Sequence, residues 1–174
     1  MLSCAIIGPR AATKEQCEVL TCLSCYADVL GFRRVSGGAD GCDKCAEVGW
    51  VREESMDIFR PKHATDAARH IASQHHPAWE ACKPYVRDLH GRNAQIILGL
   101  NVETPVNFVL TCTDNEERGG TAVGLRIAKS YNIPIFNTYF IRVEYIMKAI
   151  FAIKQGSFKH EVWKAQIDQF KKTG

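Results

Sequence analysis

The sequence predicts an α/β domain of three layers, built around a mainly parallel sheet of about five strands. Short apolar segments alternate along the chain with longer segments of helical periodicity, and glycine-containing turns follow three of the apolar segments. Strands that alternate with helices are typical of parallel sheets, because parallel neighbours need a long crossover connection. The chain has 174 residues, 46% of them hydrophobic, which is enough to bury one core. We therefore expect a single domain over residues 1–174.

Five apolar segments are predicted as the strands. They lie at 4–8, 32–36, 56–60, 106–112 and 133–137. The fourth segment is apolar near its centre without interruption, which is typical of a strand that is buried on both faces. The alternation of these strands with helices predicts a Rossmann-like arrangement with its core at about 4–140. In sheets of this kind, ligands bind at the carboxyl ends of the strands.

Helical periodicity fills the segments between the strands. We predict helices at about 13–30, 42–51 and 121–132, a mostly helical segment at 63–99, and extra C-terminal helices at about 142–154 and 158–171 within the region 141–171. Thr13 is a favourable N-cap for the first helix, and Gly31 ends it. Pro77 and Pro84 divide the 63–99 segment, because proline disrupts a helix interior.

The charge composition suits an anionic small molecule. The net charge is +3 and the isoelectric point is about 8.4. The basic residues are scattered, whereas a dedicated DNA-binding protein would more often show a dense face of lysine and arginine. No apolar run approaches the roughly 18 residues that a membrane span needs, and the N-terminus leads directly into a strand without the features of a signal peptide. We expect a cytoplasmic protein with no membrane partner.

The eight cysteines include two pairs with the spacing of a zinc ribbon, Cys22/Cys25 and Cys42/Cys45. Cys22 would lie roughly 13 Å along its helix at 1.5 Å per residue, whereas Cys42 would lie at the start of the next helix. Because the two helices are expected to run in the same direction, the four sulfurs would be too far apart for one ion. We therefore expect buried or half-buried free thiols, and rank a zinc site below them and a cytosolic disulfide last.

Three strand-to-helix turns carry the predicted phosphate site. They are Gly8-Pro9-Arg10, Ser36-Gly37-Gly38-Ala39-Asp40-Gly41 with the nearby Asp43, and Arg118-Gly119-Gly120-Thr121. All three follow predicted strands and should lie at the same edge of the sheet. Glycine lets the backbone approach a ligand closely, and the unpaired N–H groups of a following helix favour an anion. The alternative is that these are ordinary tight turns.

The segment 89–100 supplies a further candidate. Arg92 has a guanidinium that can bind a phosphate through two hydrogen bonds, and Asn93 can bind a sugar hydroxyl or brace a turn. On the pattern alone, the alternative of a solvated helix residue is favoured for Arg92.

The sequences of these turns resemble the SLOG superfamily. The matching segments are GPR, SGGADGCDKCAE, HGRNAQIILGL and GGTAVGLRIAKSYNIPIFN, in order over about 4–139. The superfamily includes the DprA recombination mediators, the LOG phosphoribohydrolases and small phage-encoded DprA-like proteins. The resemblance implies a homodimer or higher homo-oligomer and, for a phage protein, the host cytoplasm. It also implies a nucleotide or nucleic-acid phosphate site at Gly37, Gly38, Gly41, Gly119, Gly120 and Thr121, with Arg92 and Asn93 beside it.

The sequence departs from the LOG enzymes at the position of their catalytic glutamate. In this chain Ala122, Val123 and Gly124 follow the third turn, and none of them is a carboxylate. Asp40, Asp43 and Arg92 are left as candidate catalytic residues, and further acids stand at Asp114, Glu116 and Glu117. We therefore lean towards a protein that is not an enzyme.

Five of the six histidines lie in the segment 63–99. His75 and His76 are adjacent and project in different directions on a helix, which makes them a poor metal-binding pair. We expect polar surface or supporting roles for the histidines, with no metal site and no cofactor. A histidine or Trp79 from this segment could also fold over the glycine turns and stack on a base. For Trp79, core packing is at least as favoured.

Three functions follow as expectations. The first is a protein that binds a phosphorylated nucleotide or nucleotide-derived signal, as a sensor or sequesterer, including a phage counter-defence role. The second is a nucleotide N-glycosidase or hydrolase of LOG type, which needs an acid within hydrogen-bond reach of the ribose. The third is DprA-like binding of single-stranded DNA in recombination, with steep salt dependence and base stacking.

Overall fold

Five parallel strands form one sheet in the computed structural model of the chain, which describes residues 1–173. The strands are β1 Ser3–Ile6, β2 Arg33–Ser36, β3 Met56–Ile58, β4 Phe108–Thr111 and β5 Ile135–Asn137. Their order across the sheet is β3-β2-β1-β4-β5, and every neighbouring pair is parallel. This confirms the predicted fold class, an α/β three-layer sheet of Rossmann-like type.

Helices connect the strands and complete the chain. They are α1 Lys14–Val29, α2 Cys42–Val48, α3 Asp66–His75, α4 Pro84–Leu98, α5 Gly120–Ser130, α6 Val143–Lys154 and α7 His160–Phe170. Thr13 caps α1 as predicted, in a reciprocal capping box with Gln16, and Gly31 follows with a φ of +82°. Pro84 occupies the first turn of α4, where its missing N–H costs nothing. No helix within residues 1–173 is long and apolar enough to cross a membrane.

The two faces of the sheet bury different helices. Ala5 and Ile7 point to the face that is covered by α3, α4 and α5, whereas Cys4 and Ile6 point to the face covered by α1, α2, α6 and α7. Alternate residues of a strand project to opposite faces, so a four-residue strand contributes to both cores. The C-terminal helices α6 and α7 therefore belong to the layer of α1 and α2.

The direction of the chain across the sheet reverses next to β1. The chain runs outward from β1 to β2 and β3, then returns to pair β4 with the other side of β1. The connections on the two sides of this point lead away from each other, which opens a crevice beyond the carboxyl ends of β1 and β4. The predicted turns meet at this crevice.

The expectation of free thiols was wrong for Cys45, which forms a disulfide with Cys17. Helices α1 and α2 pack side by side in the same direction, and this brings the start of α1 next to Cys45. Cys22 and Cys25 lie further along α1 and are free, but they are exposed and not buried or half-buried as expected. The two pairs with zinc-ribbon spacing do not come together.

Candidate functional site

A cavity of about 690 Å³ lies at the carboxyl end of the sheet. Its walls come from the turn after β1, the turn between β2 and α2, the middle of α4 and the start of α5. Most of the predicted site residues line it: Gly8, Pro9, Arg10, Ala39, Asp43, Arg92, Asn93, Gly119, Gly120 and Thr121. The structure therefore brings together turns that are far apart in the sequence.

Most of the second glycine turn lies outside the cavity walls and is hydrogen-bonded within the protein. The N–H groups of Gly37 and Ala39 donate to Oδ2 of Asp43 over 3.2 and 3.1 Å. The Gly38 N–H donates to the Ser36 hydroxyl over 3.2 Å. These donors, which we expected to face a phosphate, are thus used within the protein. Ser36, Gly37, Gly38, Asp40 and Gly41 stand outside the residues that line the cavity.

Gly41 allows the first and second turns to pack directly on each other. Its φ is +83°, and a Cβ at this position would lie 2.2 Å from the carbonyl oxygen of Arg10. The next N–H, from Cys42, donates to the Pro9 carbonyl over 3.2 Å. The atoms that residues 41 and 42 approach are backbone carbonyl oxygens of the first turn. The relative position of the two turns therefore depends on glycine at residue 41.

Gly8 performs a similar role beside two buried cysteines. A Cβ on Gly8 would lie 2.6 Å from Sγ of Cys42, and that sulfur is 2.7 Å from Sγ of Cys112. The hydrogen bond with Cys112 and burial both raise the pKa of Cys42, so this thiol stays protonated at neutral pH. Together the two thiols form the buried support beneath the first turn.

Arg92 reaches from α4 across the surface of Gly37. A Cβ on Gly37 would lie 1.6 Å from Nη1 of Arg92, so only glycine leaves room for the guanidinium in this position. Nε of Arg92 is buried and has no hydrogen-bond partner within residues 1–173. Burial lowers the pKa of Arg92, and the charges of Arg10 and Arg60 act in the same direction. The Arg92 side chain nevertheless stays charged, as arginine does in proteins. Its partly desolvated guanidinium can therefore bind an anion in the cavity.

The start of α5 supplies backbone donors to the same cavity. Gly119 is the N-cap with a φ of +84°, and no side chain within residues 1–173 caps this helix. The amide of Asn93 donates to the carbonyl of Gly120 over 3.0 Å and thereby joins α4 to α5. Because the first N–H groups of a helix lack intrahelical partners, this end of α5 favours an anion.

Positive charge exceeds negative charge in the cavity walls. The charged residues that line it are Arg10, Arg92, Arg118 and Arg126 against Asp43 and Glu117. Arg126 is held in place by the carbonyl oxygens of Glu117 and His75, at 2.7 and 3.0 Å. Four arginines in the walls of a concave site attract phosphate groups.

Asp43 is the acid that the structure places best for chemistry. Burial raises the pKa of its carboxyl, while its two backbone donors and the charge of Arg92 act in the opposite direction. Asp40 is exposed and stands apart from the cavity walls, and Glu117 lines the cavity from an exposed loop. A buried carboxyl with a raised pKa beside a cavity is typical of acid–base sites.

Asp43→Asn is expected to alter how stability depends on pH. Because the pKa of Asp43 is raised in the folded protein, ionisation costs stability as the pH rises from its unfolded-state pKa through its folded-state pKa. The asparagine variant lacks this cost. The melting temperature of the variant minus that of the wild type should therefore increase across this interval and stay constant above it.

Thermal unfolding of both proteins between about pH 3 and pH 8 measures this difference. Asp40→Asn changes an exposed carboxylate in the same turn and is the matched control. A difference that stays constant, or that decreases as the pH rises, would contradict the effect of burial on Asp43.

A second group of functional side chains lies on the α4 side of the cavity. His76, Cys82 and His90 each offer a ligand atom, and these atoms lie within 4.8 Å of one another. Burial lowers the pKa of His90 to about 4, with His76 contributing in the same direction, so its imidazole is neutral at pH 7. We call these three residues the His-Cys-His cluster. Sequence reasoning missed it because the three residues come from different elements and match no metal-binding spacing.

Trp79 packs against the core instead of over the glycine turns. It contacts the apolar cluster beneath α3 and α4, and the guanidinium of Arg87 lies 5.5 Å from its ring centre. His76 and His90 do line the cavity. Of the two possibilities for this segment, His76 and His90 thus reach the site, whereas Trp79 is partly buried against the core.

The fold and the site together define an α/β protein with a positively charged cavity at the carboxyl ends of its parallel strands. Comparisons of the chain with models of known families, with curated proteins and with solved structures found no match. The resemblance to the SLOG superfamily therefore stays a prediction.

Proposed function

We propose that this protein binds a phosphorylated nucleotide or nucleotide-derived signal in the cavity, as a sensor or sequesterer. The observation that carries the proposal is the Arg92 guanidinium, which lines the cavity and is held there against the surface of Gly37. A partly desolvated guanidinium binds phosphate oxygens through charge-assisted hydrogen bonds, which are stronger than those between neutral groups. Arg10 and the uncapped start of α5 favour the same anion.

The rest of the cavity suits the base and sugar of a nucleotide. Apolar side chains form a second part of its wall: Ile7, Pro77, Val86, Leu89 and Val123. Sites for small molecules are typically concave and largely apolar, with a few polar groups that fix the orientation of the ligand. The volume of about 690 Å³ lies within the range of such sites. A single nucleotide therefore fits this cavity better than an extended strand of DNA.

Binding without turnover is favoured by the residues that follow the third turn. Ala122, Val123 and Gly124 stand where the LOG enzymes have their catalytic glutamate. Val123 also lines the cavity, so this part of the wall carries an apolar side chain in place of a carboxylate. A phage origin, which only the resemblance suggests, would fit a protein that removes a host signal by holding it intact.

Capture of nucleotides from a mixture tests the proposal. The purified protein is incubated with a panel that includes linear, cyclic and ADP-ribose-type nucleotides, and it is then separated by filtration. Mass spectrometry reads the filtrate and the material released from the retained protein by heat. We expect one compound to leave the filtrate and to return intact after heating.

Two arginine variants of α4 test whether the compound is captured in the cavity. Arg92→Ala should no longer capture the compound, whereas Arg87→Ala should, because Arg87 lies outside the cavity walls. Equal capture by both variants, or an unchanged panel with the wild type, would overturn the proposal. In the latter case single-stranded DNA would be the next ligand to test, with binding measured against salt concentration.

Hydrolysis of the nucleotide is the second candidate function, and the position of Asp43 favours it. The carboxyl is buried, its pKa is raised, and it lines the same cavity. A free base or a ribose phosphate in the filtrate would show cleavage. Asp43→Asn should then abolish the products while the intact nucleotide is still captured.

A further inference from the structure

Three metal-ligating side chains converge beside the cavity. His76 follows the last residue of α3, Cys82 follows a short 3-10 turn, and His90 lies in α4. We propose that the His-Cys-His cluster binds one zinc ion and leaves a fourth coordination position open towards the cavity. This inference goes beyond the proposed function and does not rest on it.

The separations within the cluster are close to those of a zinc site. Sγ of Cys82 lies 3.6 Å from Nε2 of His76. Tetrahedral zinc with a Zn–S bond of about 2.3 Å and a Zn–N bond of about 2.05 Å places sulfur and nitrogen about 3.6 Å apart. All three ligand atoms lie within 4.8 Å of one another, so a contraction of roughly 1 Å, within the reach of small side-chain rotations, completes the set.

His90 provides an independent indication of a missing partner. The residue is 7% exposed, and its Nδ1 has no hydrogen-bond partner within residues 1–173. Buried side-chain nitrogens are almost always paired, because an unpaired one costs free energy. A metal ion on Nδ1 of His90 gives this nitrogen the partner that it lacks in the described part of the chain.

The cost of metal binding at His76 is small. Nδ1 of this ring accepts a hydrogen bond from the N–H of Ala78 over 3.1 Å. Zinc takes the lone pair of one ring nitrogen and leaves the proton on the other, so Nδ1 can no longer accept. The Ala78 donor is exposed, and water can replace the lost acceptor.

The ligand types favour zinc over magnesium or calcium. Thiolate and imidazole are ligands of zinc, whereas magnesium and calcium prefer oxygen.

Arg92 and Arg126 oppose additional positive charge near His90. The Cys82 thiolate is the one anionic ligand of the cluster, so it should contribute most to the binding of a cation. Because His76 and His90 line the cavity, an anionic ligand there can supply the fourth donor.

Cobalt substitution tests the site directly. The full chain is purified without metal and with its disulfide intact, loaded with Co²⁺, and separated from free ion by gel filtration. We expect about one retained ion per chain and a thiolate-to-cobalt charge-transfer band, which zinc should abolish by displacing the cobalt.

Matched variants identify the ligands. Cys82→Ser should remove the charge-transfer band and weaken Co²⁺ binding by about 100-fold or more, since even indirect partners of a metal contribute 10- to 100-fold. Cys25→Ser and His70→Gln change an exposed cysteine and an exposed histidine outside the cluster, and both should bind Co²⁺ as the wild type does.

Two results would overturn the proposal. One is a wild type that retains no cobalt. The other is a charge-transfer band that survives in Cys82→Ser or disappears in Cys25→Ser, which would place the metal on α1. His76→Gln provides a second ligand variant, and circular dichroism establishes that each variant is folded.

Discussion

Arg92→Ala is expected to weaken binding of the captured nucleotide by about 100-fold, or about 2.8 kcal/mol, without unfolding the protein. The guanidinium is partly buried against Gly37, and its Nε is not used by any acceptor within residues 1–173. Its removal therefore deletes a contact to the ligand and breaks no hydrogen bond of Nε within the protein. Isothermal titration calorimetry measures the change in affinity, and a loss of less than about threefold would mean that Arg92 does not contact the ligand.

Gly37→Ala offers a way to displace the guanidinium without removing it. The new Cβ would overlap Nη1 of Arg92, which is the far end of a flexible side chain and can move away. We expect this variant to fold normally and to bind nearly as weakly as Arg92→Ala. The double variant should bind no more weakly than Arg92→Ala alone, because both changes remove the same contact. Additive losses would show that Gly37 acts on the ligand by another route.

Gly41→Ala should produce the largest loss of stability, about 4 kcal/mol in the free energy of unfolding. The residue combines a φ of +83° with a ψ of −128°, a conformation that side chains strongly disfavour. The added Cβ would also lie 2.2 Å from the carbonyl oxygen of Arg10 and 2.4 Å from that of Pro9. These are backbone atoms of the neighbouring turn, so relief requires the two turns to separate.

Gly156→Ala is the control for the cost of a positive φ alone. Gly156 has a φ of +70°, but a Cβ there would meet nothing within 4 Å. Only the conformational cost applies, and we expect a loss of about 1 kcal/mol. Urea unfolding of the two variants and the wild type gives the comparison. Similar losses at both positions would show that the packing of the turns contributes little.

The fold could be predicted from the sequence because its signals are local. The capping box at Thr13, the glycine after α1 and the proline at the start of α4 each act within one helical turn. The buried apolar strand β4 is recognisable from composition alone. The C-terminal helices were also predicted, but the face of the sheet that they cover depends on which apolar neighbours they meet.

The candidate site was predicted in outline, and its internal contacts were not. Glycine turns after strands indicate where a ligand binds, but the N–H groups of Gly37 and Ala39 can bond either to a ligand or to the protein. The structure shows that they donate to Asp43, a choice that depends on the side-chain orientation of that residue. The Cys17–Cys45 disulfide was not predicted because its two cysteines lie on different helices, and their proximity depends on how α1 packs against α2.

The parallel pairing of β1 with β4 determines when the cavity can form during folding. Cys4 pairs with Phe108, so the two walls of the cavity meet only after most of the chain has closed into a loop. Closing long loops is entropically costly, and parallel sheets contain no local hairpin from which to start. We therefore expect the cavity to form late in folding. The amount of nucleotide captured should therefore be proportional to the amount of fully folded protein.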